Sequence, residues 1–350
     1  MLEYFVSRPP ALAAHHIAQL AALVSASTAP ASTSMTVPAL WLTGAERWVL
    51  LVGLSMALGG ITGRGLARLY LAREDTPAPP APPPMPWALR GSLLGLAGSA
   101  ALLVTALAGP GVAASLARPP VALMGSRATA VIAAAELACF ALAAILVRRR
   151  RPGWSVLPLI GVVVAEAIRA HPEGIIPVAG ALLTCCHLTP AVMWAGMLVY
   201  TGRVAVAWRS SPRLVQGVFR LYGTAAGWLF AVVVVTGLFS VLLLVPLRSL
   251  PTTTYGRFLI AKAALVAVAA ALAVAGRAGL RRPAPPGTGL RLVTRLEIAA
   301  LAAVLAATAL LTVLTPPAKP VFPTAAPKAA PLAQHRRTEP PPASFRADGM

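Results

Sequence analysis

The stretch 169–203, RAHPEGIIPVAGALLTCCHLTPAVMWAGMLVYTGR, decides how the chain is read. It is apolar enough to enter a bilayer, yet it carries His171 and His187 and gathers sulfur as Cys185, Cys186, Met193 and Met197. A polar side chain in hydrocarbon is costly unless it has a partner or a task. The apolar run 174–202 exceeds the ~20 residues that one span requires. Counting back ~20 residues from Arg203 puts its outer boundary near Leu182 or Leu183, so His187 falls about one turn below the outer surface. Pro172, Gly174 and Pro177 make 170–180 a loop that can fold back, with His171 at similar depth. Two imidazoles at one depth on neighbouring elements can share an ion.

Composition supports a membrane setting for this stretch. Only 11% of the 350 residues are charged and 57% are hydrophobic, whereas a soluble domain carries about 25% charged residues. The chain therefore reads as an integral membrane protein. A net charge of +20 invites a nucleic-acid partner. That reading is rejected, because the arginines sit in short clusters between apolar runs, the pattern that sets topology. Three cysteines, two of them adjacent, make no disulfide framework. The N-terminus does not read as a cleaved signal, since Glu3 precedes Arg8 and His15–His16 break the weak apolar run.

Eight segments approach spanning length: 43–63, 88–108, 128–147, 154–169, 180–202, 224–245, 257–276 and 295–315. The fourth is the shortest and carries Pro158 and Glu166. Arginines crowd alternate loops, at 64–90, 148–153, 203–223 and 277–295, while the intervening loops hold one or two each, Arg169 among them. Basic loops face the cytoplasm. The expected architecture is an all-α polytopic membrane helical bundle of about eight transmembrane helices with both termini outside. Residues 1–39 read as a loosely ordered segment in which His15 and His16 are solvated, 40–317 as one membrane domain, and 318–350 as a disordered Pro-rich tail. The stretch 75–87, DTPAPPAPPPMPW, reads as a polyproline linker.

Within the fifth segment His187 and Trp194, seven apart, share a helix face, and Cys186, Met193 and Met197 form an adjacent stripe. Pro190 frees a backbone carbonyl near Cys186. Thiolate and thioether favour Cu(I), and imidazole accepts either copper state or zinc. The candidate metal ligands are His171, His187, Cys186 and Met193; cysteine and methionine at such positions also serve simply as packing. Among the buried charges, Lys262 is placed to pair with Glu166 and Glu297 to be neutralised by Arg295 or the helix dipole, while Glu136 has no evident partner.

The second half resembles the bacterial copper resistance protein D family, multi-pass inner-membrane proteins linked to copper uptake and tolerance. The resemblance is carried, in order, by Ala170-His171-Pro172, by His187 leading to Trp194-Ala195-Gly196-Met197, by Phe219-Arg220, and by Thr236-Gly237. Thr253-Thr254-Tyr255-Gly256-Arg257 with Lys262, then Arg291 or Arg295 with Glu297 and Thr315-Pro316-Pro317, complete it. It covers 170–317; Pro172 and Met197 depart from the small residues usual at those places. It implies copper handling, with copper ion as the bound or transported species. The expected function is copper transport, in the direction of uptake, across a bacterial cytoplasmic membrane, with an extracytoplasmic copper-binding protein as a possible partner. Two other readings stand beside it: a haem-binding electron-transfer protein using both histidines as axial ligands, and a membrane partner in copper-protein assembly. No Gly-x-Ser-x-Gly elbow or His-Glu-x-x-His helix is present, so no enzyme activity is expected.

Overall fold

A computed structural model describes residues 37–73, 78–108, 120–169, 177–281 and 288–314. All of them lie within one compact unit, Met1–Pro317. His15, His16, His171 and most of both terminal segments fall outside the described residues.

Among the described residues the regular structure is helical, as the apolar runs separated by basic loops dictate. In lipid only a helix or a closed barrel satisfies every backbone polar group. The helices are α1 (Val37–Leu54), α2 (Gly60–Leu71), α3 (Ala88–Ala108), α4 (Pro120–Arg148) and α5 (Val156–Arg169). They continue as α6 (Pro177–Ala207), α7 (Pro212–Leu244), α8 (Thr254–Arg281) and α9 (Thr288–Leu311). A π-helical turn, Ser55–Gly59, joins α1 to α2 without a break. Seven of these helical runs are long and apolar enough to cross a membrane. The fourth expected span is the exception: α5 has 14 residues, about 21 Å against a hydrocarbon core of ~30 Å.

Small residues set the closest helix contacts. At the π turn the backbone of α1 touches that of α6. A Cβ at Gly196 would lie 1.8 Å from the Ser55 carbonyl oxygen, and one at Gly59 would lie 2.5 Å from Gly196 Cα. Without a hydrophobic drive between helices in lipid, such backbone approach is a main source of packing energy. Gly196, the glycine of the tryptophan motif, is thus a crossing point. α9 returns to pack on α1, where Trp48 Nε1 donates to the Ala302 carbonyl at 3.1 Å.

The proline-rich stretch before α3 is pinned rather than free. Trp208 Nε1 donates to Ala81 O at 2.8 Å, Tyr200 Oη to Pro84 O at 2.9 Å, and Arg203 to Met85 O at 2.8 Å. Proline gives up its N–H but keeps its carbonyl, so a proline run can only be held through its acceptors. Arg203 also lies 4.3 Å over the Trp87 ring, a cation–π contact. These contacts fix the last turns of α6 at the basic side and leave His187 toward the opposite side.

The buried charges differ from expectation in their partners. Arg169, counted as a loop residue, has a side chain only 8% exposed and bonds both Glu136 (2.9 Å) and Glu166 (3.2 Å). Glu136 therefore has a partner, and Glu166 pairs with Arg169 rather than with Lys262. A long guanidinium reaches back from the end of α5 into the bundle, which depth counting along single helices does not register. Glu297 is buried beside Trp194 and Arg277 rather than Arg295.

Candidate functional site

His187 sits on α6 facing α7 and α8. Its Nδ1 lies 3.0 Å from Thr236 Oγ1. The Thr236 hydroxyl in turn lies 2.6 Å from the Val232 carbonyl, which has no proton to give. The single hydroxyl proton therefore goes to Val232 O, and the hydroxyl oxygen accepts from Nδ1–H. This fixes the tautomer: Nδ1 carries the proton and Nε2 keeps its lone pair. A histidine that ligates a metal commonly donates its other ring N–H in this way, which orients the ring and raises its basicity.

Gly237, next to Thr236, makes room for the ring. A Cβ there would lie 3.1 Å from His187 Cε1, tighter than an ordinary side-chain contact. The Thr-Gly pair thus has two jobs, one polar and one steric, on consecutive residues of α7. Lys262 on α8 lies near enough for its charge to act on His187. His187, Thr236 and Lys262 all lie two to three turns in from the same side of the bundle, the side away from the basic loops.

The sulfur residues are spread around α6. Cys186 is exposed and Cys185 half-buried, whereas Met193 packs against the core and Met197 is buried within it. Trp194 is also core, meeting Phe230 edge to face at 5.6 Å between centroids. Pro190 is accommodated inside a continuous α6. His171 lies outside the described residues. Among the described residues no three His, Cys, Asp or Glu side chains gather as a metal-holding group.

Thr236 enters the sequence reading only through the resemblance carried by Thr236-Gly237, and its role shows once its hydroxyl is seen against the imidazole. Two further residues carry no marked signal in sequence. Tyr222 and Arg277 join Trp194 and Glu297 in a second buried polar patch on the basic side. They come from three different helices besides α6, so no spacing within one element could have announced them.

No curated protein and no solved structure matches the chain. A family model does: Copper resistance protein D, over residues 216–311. That segment runs from α7 through α9 and contains Thr236, Gly237, Lys262 and Glu297. The chain is a multi-pass, all-α membrane protein, and its residues 216–311 are similar to the Copper resistance protein D family.

Proposed function

We propose that this protein carries copper across the cytoplasmic membrane in the direction of uptake, with His187 as a receiving ligand near the extracytoplasmic side. The family links the chain to copper resistance and transport. The observation that supports a role for His187 itself is the Thr236 hydrogen bond, which leaves Nε2 as a free donor atom. A neutral imidazole nitrogen binds either copper state. His171 and the sulfur of Cys186 or Met193 are the further ligands proposed. Lys262 discourages a cation from resting beside His187, and a weak resting site suits a carrier, which must release what it binds. An extracytoplasmic copper-binding protein would supply the ion, the membrane is a bacterial inner membrane, and no catalytic step is required.

The test is cellular copper accumulation in a strain expressing His187→Ala at wild-type membrane level. Accumulation is expected to fall to that of cells lacking the protein. Accumulation equal to wild type removes His187 from the path. An absorption spectrum of the purified protein accompanies it, because a Soret band would turn the reading to haem.

A further inference from the structure

On the basic side of the bundle, α7 and α8 part and leave a groove between them. Its walls include Arg220, Gly223, Thr224, Gly227 and Trp228 of α7 and Arg277 of α8. We propose that this groove binds the headgroup of an anionic phospholipid of the cytoplasmic leaflet, with Arg220 and Arg277 on its phosphate.

The depth agrees from both helices. Counting ~20 residues back from Leu244, where α7 ends, puts the hydrocarbon boundary near Thr224. Counting ~20 residues on from Thr254, where α8 begins, puts it near Val274. Arg220 and Arg277 thus both lie about one turn into the headgroup layer. Trp228 lies about one turn on the hydrocarbon side and is 74% exposed, as indoles of the interfacial belt are.

The chemistry of the walls is one-sided. No residue lining the groove is acidic, and two are arginines. Guanidinium matches phosphate oxygens in a planar, two-pronged geometry, and basic clefts between helices on the cytoplasmic side suit anionic headgroups. The Arg277 guanidinium lies across the glycine surface of α7: it donates to the Gly223 carbonyl, and a Cβ at Gly223 would lie 3.1 Å from its Nε. Glycine at 223 and 227 therefore does for the groove what it does at a helix crossing, letting a group approach the backbone. Arg277 also faces Glu297 on its core side, whereas Arg220 is exposed and makes no ion pair among the described residues. The Thr224 hydroxyl is spent on the Arg220 carbonyl at 3.2 Å, so the two guanidiniums supply the recognition.

The experiment is native mass spectrometry of the full-length protein in detergent, with phosphatidylglycerol and phosphatidylcholine of matched chains. Wild type is expected to retain phosphatidylglycerol in preference. Arg220→Gln and Arg277→Gln should each lower that retention about tenfold, the effect of one charge-assisted contact. Arg213→Gln, at the start of α7 outside the groove, should leave it unchanged. Equal retention of the two lipids, or wild-type retention by Arg220→Gln, overturns the proposal. Displacement of the lipid by millimolar inorganic phosphate would overturn it in favour of a soluble anion. Arg220 projects from the surface, so its variant carries the test even where Arg277→Gln fails to fold.

Discussion

At the scale of single residues, the feature with most chemical content is the order of two hydrogen bonds. Thr236 gives its proton to Val232 and takes one from His187. Valine at 236 would keep the shape and lose the acceptor, leaving a half-buried ring N–H unpaired and the ring free to turn. Outer partners of ligating histidines are typically worth 10–100-fold in metal affinity. Thr236→Val is therefore expected to weaken copper binding by about that factor while the protein keeps its melting temperature to within a few degrees. Competition titration of purified protein against a copper chelator measures this. Affinity equal to wild type would mean that the threonine merely fills space. The histidine was legible in sequence because an imidazole in an apolar run is expensive and conspicuous. Its holder stood out only through the resemblance carried by Thr236-Gly237, because threonine by itself is unremarkable in a membrane helix until its neighbour on another helix is known.

At the scale of elements, the apolar runs fixed where helices form, and small residues and buried charges fixed how they meet. Run lengths placed the seven long helices to within a few residues at most ends. The first helix runs further than expected, to Leu71, carrying Arg64 and Arg68 on its last turns. Hydropathy fades before such a helix ends, so the run length understated it. The sequence also hid the bridge made by Arg169, because a basic residue beside a proline-rich stretch reads as a loop charge. In the structure its guanidinium is the group that both Glu136 and Glu166 touch, and the two carboxylate side chains are 0% and 5% exposed. Removing one partner of a buried ion pair typically costs 3–5 kcal/mol, because the remaining charge is stranded. Arg169→Gln should therefore lower the thermal unfolding temperature in detergent markedly. The double variant Glu136→Gln, Arg169→Gln should recover much of the loss, since Glu166 keeps the buried Arg47 as its counter-charge and the amide at 136 strands none. A double variant less stable than Arg169→Gln alone would show that the charges are wanted for more than mutual neutralisation.

At the scale of the whole molecule, the side on which each loop lies depends on α5. A Cβ at Gly161 would sit 3.0 Å from Cys139 Sγ, so α5 runs beside the second half of α4. Continuing antiparallel from that level, Arg169 comes about level with residue 131, near the middle of α4 but close to the start of its apolar span at Ala128. Although short by length alone, α5 is thus placed as a full leg of the bundle, and α6 then returns to the basic side. Taking Arg169 out of the loop count, as its ion pairs require, also sharpens the contrast between basic and non-basic loops. Three legs separate Gly153 from Thr252, which puts these residues on opposite faces; without α5 as a leg they would share one. Both positions accept a cysteine: a Cβ at Gly153 meets nothing within 4 Å, and Thr252 is exposed. In a background lacking Cys139, Cys185 and Cys186, a membrane-impermeant maleimide should label Thr252→Cys in cells with a permeable outer envelope and an intact inner membrane. Gly153→Cys should be labelled only after that membrane is opened. Labelling of both from the same face would make α5 a re-entrant stub, place Thr252 beside the arginine-rich loops, and move His187 to the cytoplasmic half, where it could not receive external copper.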